Sequence, residues 1–245
     1  MSEASNERLL KLLKDIDRQE PYNDLLKAIK ATHDNYKSIE SLVEEIREDG
    51  SNTIARLIKG PVDYDEIVRD VAIKVGVPKD QISPVSEEEN ELKCLCLVLE
   101  KNLDSMQVAD REKAVAEIDK IIGGKYHNYG SLSTLSISFT LMQIIKTIGI
   151  AQFKPLLAKI ISKFVVVNTA KTAGSLAGSR VLGFAIPFLN IALGVWLAID
   201  LAGPAYRKTV PTVLQVAFLR NLYKETEEAY KNATDVEAED PDPAF

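Results

Sequence analysis

The sequence predicts an all-α protein: a multi-helix bundle in which an acidic N-terminal helical region precedes a basic, apolar, glycine-containing helical region. Three observations carry this. Apolar residues recur three and four positions apart through most of the chain, the spacing that puts them on one helical face. Capping residues open these runs, and glycine or proline closes them. Period-two alternation with turn dipeptides, the mark of strands, is nearly absent. Nine to eleven helices and no sheet are expected.

In chain order, Leu9, Leu10, Leu12, Leu13 and Ile16 form the first stripe, which Pro21 breaks; Leu25, Leu26 and Ile29 continue on a second helix. Ile39, Leu42, Val43 and Ile46 form a third, stopped by Gly50, and Ile54, Leu57 and Ile58 a short fourth before Gly60-Pro61. Asp63 with Glu66 makes a capping-box pattern. It opens a helix with Ile67, Val68, Val71, Ala72 and Val75 inward, ended by Gly76. Ser86 with Glu89 repeats the device for a helix over about 86–107, and Asp110 caps another that ends at Gly123-Gly124.

The second half differs in kind. Ser131–Ile145 is uncharged and mostly apolar. Over 155–167, Leu157, Ile160, Ile161, Phe164 and Val165 share one face opposite Lys159 and Lys163, a basic amphipathic helix. Gly174 and Gly178 form a small-xxx-small pair suited to close helix packing, with a flexible linker as the competing reading. Val181–Ile199 runs nineteen residues without a formal charge, between Arg180 and Asp200. That is near the length that spans a bilayer's hydrocarbon core. It also suits a central helix of an all-α protein, apolar all round because it is buried all round. Gly203-Pro204 ends the region, a last helix follows over about 209–230, and the acidic tail from Asp235 is expected to be disordered.

Composition sets the outer limits. The chain has 245 residues, 46% apolar and 27% charged, which excludes collagen, a disordered chain and a disulfide miniprotein. Two cysteines and two histidines exclude most zinc sites. The first twenty residues are rich in charge, unlike a signal peptide, so a cytoplasmic chain is expected, peripheral or inserted at a membrane if it meets one. The net charge of -6 hides a division. Residues 1–119 carry 17 basic and 27 acidic side chains, residues 120–224 carry 12 basic ones and Asp200 alone, and residues 225–245 carry Lys231 against eight acids. An apolar stretch decorated only with lysine and arginine is what an anionic membrane attracts. The bland reading folds the acidic parts against it. The organisation expected is an acidic helical region over 1–124, a basic apolar region over 125–231 and an acidic tail over 232–245.

No constellation points to catalysis, and neither a metal nor a cofactor is expected. Cys94 and Cys96 are two apart on a helix and read as buried thiols. His33 and His127 sit near turns and read as surface or capping residues. Glu88, Glu89 and Glu91 read as the solvated first turn of a helix, favoured there by its dipole.

Two stretches carry a resemblance. One is Ala205-Tyr206-Arg207, Thr209, Pro211, Val213-Leu214-Gln215, Ala217 and Leu219-Arg220; the other is Ile54-Ala55, Leu57, Gly60, Tyr64, Ile67, Asp70-Val71 and Val75. They resemble the YaaW family of bacterial proteins, whose members are often labelled relatives of the ubiquinol–cytochrome c chaperone. The resemblance covers roughly residues 40–222, most strongly 205–220. It implies a bacterial, all-helical protein and transfers no catalytic residue. The longer acidic tail and the more apolar 181–199 segment depart from the family. In the motif, Thr209 can cap a helix that starts before Pro211. Val210, Val213, Leu214, Ala217, Phe218 and Leu222 would be its apolar face, and Tyr206, Arg207, Gln215 and Arg220 its polar members. The two arginines are expected to satisfy groups inside the fold, Asp200 among them, with lipid phosphate or a partner as the other reading.

The function these features predict is non-enzymatic. A membrane-perturbing effector or toxin, or a peripheral membrane factor, would dock through Lys154, Lys159, Lys163, Lys171 and Arg180, insert the 131–145 and 181–199 segments, and set Trp196 at the interface. The alternative is a soluble, chaperone-like helical binding or assembly protein, in which the same apolar helices form a core or an oligomer interface. The partners expected are anionic lipid or a protein, with a homo-oligomer among the options and nucleic acid not expected.

Overall fold

The computed structural model describes residues 2–19, 22–33, 35–51, 60–104, 107–109, 111–112, 116, 137–151 and 204–238. Among them are seven α-helices and no strand: α1 (Ser2–Asp17), α2 (Asn23–Thr32), α3 (Ile39–Gly50), α4 (Tyr64–Val75), α5 (Glu87–Asp104), α6 (Ile137–Ile148) and α7 (Pro204–Ala238). A single 3₁₀ turn, Lys79–Gln81, joins α4 to α5. The fold is all-α, as the sequence predicts. The expected fourth helix near Ile54, Asp110 with most of the helix expected from it, and everything over 152–203 lie outside the described residues, as does His127.

Local chemistry sets most helix ends. Ser38 Oγ accepts from Ser41 N–H while Ser41 Oγ takes the Ser38 N–H, a reciprocal cap for α3. Ser86 Oγ accepts from Glu89 N–H at 3.1 Å, as expected for α5. Gly76 closes α4 at φ +98, a conformation that costs a side chain but not glycine. The start of α4 departs from expectation, because Asp63 caps it in the backbone sense without a side-chain cap bond. The Asp63 carboxylate is drawn off by Asn6 Nδ2 at 2.6 Å and Arg47 Nη2 at 3.4 Å. In exchange, Asn6 Oδ1 accepts the Tyr64 N–H at 2.9 Å, so α1 caps α4 across the fold.

All seven helices feed one core. Leu9, Leu12, Leu13 and Ile16 of α1, Leu26 and Ile29 of α2, and the expected stripes of α3 and α4 are buried together with Leu95, Val98 and Leu99 of α5 and Leu141, Ile144 and Ile145 of α6. Thus the described part of the first uncharged segment, 137–145, packs into the core against α5. Helix α7 occupies the centre and touches α2, α3, α4 and α5. Every residue from 209 to 220 on it is buried. A helix enclosed on all sides has no single apolar stripe.

Two expectations about α7 need correction. It begins at Pro204, not near 209, so Thr209 is interior and its hydroxyl donates to the Ala205 carbonyl at 3.1 Å. Pro211 lies inside the helix and withholds one backbone donor, which dense packing on every side tolerates. The helix also continues to Ala238, through the first residues of the expected disordered tail.

Candidate functional site: two polar clusters on the central helix

Helix α7 carries Lys208, Thr212, Gln215 and Arg220 into the interior. Burying such groups is costly unless each is hydrogen-bonded and each charge is balanced. Two clusters meet that demand for Lys208, Thr212 and Arg220.

The first surrounds Arg220. Helix α5 begins with Glu87, Glu88 and Glu89, and Glu91 stands one turn beyond Glu87 on the same face. Arg220 grips Glu91 in a fork, Nε to Oε2 at 2.9 Å and Nη2 to Oε1 at 3.1 Å. Its Nη2 also reaches Glu87 at 3.4 Å and its Nη1 reaches Glu88 at 3.5 Å. Arg8 of α1 holds the other side of Glu87 at 2.9 and 3.1 Å, Ser5 donates to Glu87, and Lys224 pairs with Glu88. Three carboxylates therefore face three cations. Complete burial raises the Glu91 pKa, with Arg220 opposing. Burial works against the Arg220 charge, and Glu91 and then Glu87 outweigh it and raise its pKa. Burial also favours neutral Glu88, yet Lys224 and Arg220 hold its pKa below the usual range. Tyr64, wholly buried beside Glu91, has its ionisation pushed far up by burial and by the Glu91 charge.

This corrects the solvated-turn reading for Glu91 and, in part, for Glu88. Glu91 is sealed in the core, Glu88 is half-buried, and Glu89 pairs with Lys93 near the surface. Arg220 does satisfy carboxylates inside the fold, and those it meets belong to α5; Asp200 lies outside the described residues.

The second cluster surrounds His33. As the C-cap of α2 it ends a helix, but its ring is buried, which corrects the surface reading. Its Nδ1 lies 2.9 Å from Asp49 Oδ2 on α3, and its Nε2 lies 2.9 Å from Thr212 Oγ1 on α7. The Thr212 oxygen is also 2.8 Å from the Lys208 carbonyl. Its single proton serves one of these two neighbours at a time, which couples the hydroxyl's orientation to the ring's tautomer. Lys208 Nζ sits 3.1 Å from Asp49 and 3.9 Å from Glu45, whose other oxygen accepts the Asn35 N–H at 2.9 Å. Burial would raise the Asp49 pKa, but hydrogen bonds from His33 and Lys208 lower it.

Carboxylate, imidazole and hydroxyl stand here in the order of a nucleophilic relay. Thr212 is 1% exposed and His33 2%, so no substrate reaches this hydroxyl as the helices stand. The ligand-type atoms of His33, Glu45 and Asp49 also lie within 4.8 Å of one another. Lys208 already supplies both carboxylates with the positive charge a bound cation would bring.

The remaining sequence-predicted residues fall in three groups. Tyr206 lies partly buried, with Lys74 Nζ 5.0 Å from its ring centroid, a cation–π contact. Arg207 is exposed on the first turns of α7, and Gln215 is buried with neither amide atom hydrogen-bonded among the described residues. Lys154, Lys159, Lys163, Lys171, Gly174, Gly178, Arg180 and Trp196 lie outside the described residues. Cys94 and Cys96 are buried as expected, and burial pushes both thiols up, so neither supplies thiolate near neutral pH. Sequence reasoning missed Arg8, Glu87, Asp49, Lys208 and Thr212. Glu87 and Glu91, one turn apart beside the apolar face of α5, were the available signal.

The two flanks of the 152–203 stretch are also fixed on α7. Ala151 donates its N–H to Glu225 Oε2 at 2.9 Å, and Pro204 is the first residue of the helix. At about 1.5 Å per residue these points stand about 30 Å apart along α7. No helix among the described residues is long and apolar enough to cross a membrane.

Known proteins add a family and no chemistry. No family model matches the chain, and no solved structure matches it. A UPF0174 protein of Helicobacter pylori is 33% identical over 206 residues, covering 81% of this chain and 78% of its own length. A UPF0174 protein from another strain of that bacterium is 28% identical over 210 residues, covering 77% of this chain and 90% of its own length. A likeness that runs through most of both chains reaches across helices from both halves of the fold, and the chain belongs to the UPF0174 family.

Proposed function

We propose that this is a non-enzymatic helical protein whose body, built round α7, carries a membrane-active basic region between α6 and α7. The observation that carries the reading is the charge division: no carboxylate stands between Asp119 and Asp200, while residues 1–119 and 225–245 are acidic. Lys154, Lys159, Lys163, Lys171 and Arg180 would meet anionic headgroups, each contributing about 1 kcal/mol near the surface. Val181–Ile199 would insert. Because 137–145 serves the core, the 181–199 segment alone carries insertion in this proposal. The anchored flanks at Ala151 and Pro204 support it, since they let the region engage a surface without dismantling the body. A membrane-perturbing effector and a peripheral membrane factor are both versions of this function, in a cytoplasmic chain that meets the membrane from one side. The likeness to the YaaW family belongs to the same proposal.

A protein partner or second copy is the other reading. Phe139 is 56% exposed at a pocket of about 310 Å³ lined by Val77, Pro78, Cys96, Leu97 and Met142 with Gln81, Lys93 and Ser138 beside them, which favours a mixed apolar and polar contact there.

The test is sedimentation and dye release with phosphatidylglycerol-containing vesicles. Binding should weaken in high salt, where the Debye length falls to about 3 Å at 1 M. Replacing the four lysines by glutamine should abolish binding. Leu193→Arg should abolish dye release and spare low-salt binding, because a charge near the midplane costs roughly 2.5–3.5 kcal/mol. Wild-type protein that ignores these vesicles at every salt concentration returns the function to the assembly reading.

A further inference from the structure

The buried cluster round His33 brings together a metal-ligand set from two helices. Glu45 and Asp49 stand one turn apart on α3 and face the ring that ends α2. The ligand-type atoms of the three side chains lie within 4.8 Å of one another. The ring is fully buried, and the far oxygen of Glu45 is held by the Asn35 N–H at 2.9 Å. One nitrogen and two carboxylates form a donor set that a low count of cysteine and histidine leaves open.

Two observations point to a cation at this place. The first is that a positive charge already sits there. The Lys208 ammonium lies 3.1 Å from Asp49 and 3.9 Å from Glu45. It comes from the first turns of α7 on a flexible stem, and its side chain is 30% exposed. The lysine therefore has a way out to water, and an ion has the same way in. The second observation is Thr212. An imidazole that ligates a metal through one nitrogen gives the N–H of the other to an acceptor behind it. Thr212 Oγ1 is 2.9 Å from Nε2, and its own proton can turn to the Lys208 carbonyl at 2.8 Å. In that setting Nε2–H donates to Thr212, and Nδ1 presents a lone pair to the Asp49 oxygen 2.9 Å away. Two acceptors stand so close only with a positive charge between them. In the opposite setting Nδ1–H donates to Asp49, which suits the lysine-filled form. The hydroxyl thus adapts the ring to either occupant.

We propose that His33 Nδ1, Glu45 and Asp49 bind a divalent transition-metal ion, zinc in the first instance, and that the ion replaces the Lys208 ammonium. The imidazole selects against magnesium and calcium, which take oxygen ligands. Three protein ligands leave a fourth position to water. The ion ties α2 to α3 and, through the ring and Thr212, to the central helix, while Lys208 moves to solvent. This site is separate from the membrane reading and stands or falls without it.

The experiment uses the full chain, stripped with EDTA and dialysed. Titration with zinc in a calorimeter should show one ion per chain, and the melting temperature should rise with zinc concentration. Lys208→Met removes the competing cation and should tighten binding by about tenfold, the worth of a hydrogen bond to a charged group. Thr212→Val should weaken it by roughly 10–100-fold, the usual cost of losing the group behind a ligating ring. Glu45→Gln and Asp49→Asn should each abolish it, and His127→Gln should bind as wild type does. Long-range proton–nitrogen NMR of the histidines reads the site directly: zinc should shift His33 Nδ1, leave the proton on Nε2 and spare His127. Circular dichroism checks that each variant folds; where a loss variant does not, Lys208→Met and the NMR spectrum decide. No zinc uptake by wild type, uptake retained by Asp49→Asn, uptake lost in His127→Gln, no tighter binding in Lys208→Met, or an unshifted His33 Nδ1 overturns the proposal.

Discussion

The two clusters fasten the same helix by different means. Around Arg220 the fastening is ionic and closed: Glu87 and Glu91 are sealed, and three cations answer three acids. Around His33 it runs through a ring and a hydroxyl, and its lysine remains about a third exposed. The difference teaches where removal of one group does most damage. In the first cluster a lost arginine strands buried charge. In the second, Lys208 and water can cover part of the loss.

The sharpest way to break the comparison is Arg220→Met. It should destabilise the fold by about 3–5 kcal/mol, as expected when a buried pair loses one partner. Adding Glu91→Leu should restore part of the loss, and urea unfolding of both variants measures it. Full stability in the single variant would show that the cluster does not hold α7. His33→Ala comes next, at about 1–3 kcal/mol for the hydrogen bonds to Asp49 and Thr212. The same urea series ranks the two clusters.

Asp49→Asn sharpens the contrast through pH. The folded pKa of Asp49 is depressed, so its stabilisation is complete above its unfolded value near ~3.9 and is lost as pH falls through the lower folded value. The variant should melt below wild type at neutral pH, and the gap should close below about pH 4. A gap independent of pH would remove charge from the account of this cluster. Gly149→Ala should cost about 1 kcal/mol or more, because φ is +86 and Glu225 fills the space. Glu225→Ala in the same chain should return only part of that, since the backbone strain remains. Smallest of all, Lys14→Ala removes an exposed pair with Glu40 and should leave the melting temperature unchanged. The Lys14 hydrogen bond helps hold Glu40 at a pKa of about 2, but a surface pair of this kind is screened and mobile.

What the sequence made legible was what neighbouring residues decide. Helix α3 runs from Ile39 to Gly50, and α4 carries the expected inward set up to Gly76. The misses at the two clusters involve distant partners. Arg220 meets Glu91 across 129 positions and His33 meets Thr212 across 179, so no local spacing announces either cluster. Asp63 lost its side-chain cap to Asn6 and Arg47 for the same reason. Pro211 suggested a helix start because proline costs least there; burial on every side overrode that preference. The amide Gln215 gave no sign that it would be enclosed without a hydrogen bond among the described residues.

The position of α7 also has a consequence for how the chain acquires its structure. Among the described helices, the one that fills the centre is the last to be made. During synthesis α1 to α5 emerge with the surfaces that will face it still bare, and residues 209–222 follow more than one hundred residues after α5 ends. Contacts closed over such separations form slowly, and the intermediates that wait for them expose apolar surface. Nascent chains stalled before residue 204 should therefore be sensitive to protease and prone to aggregate. Emergence of α7, rather than of any earlier helix, is the event that lets the body close.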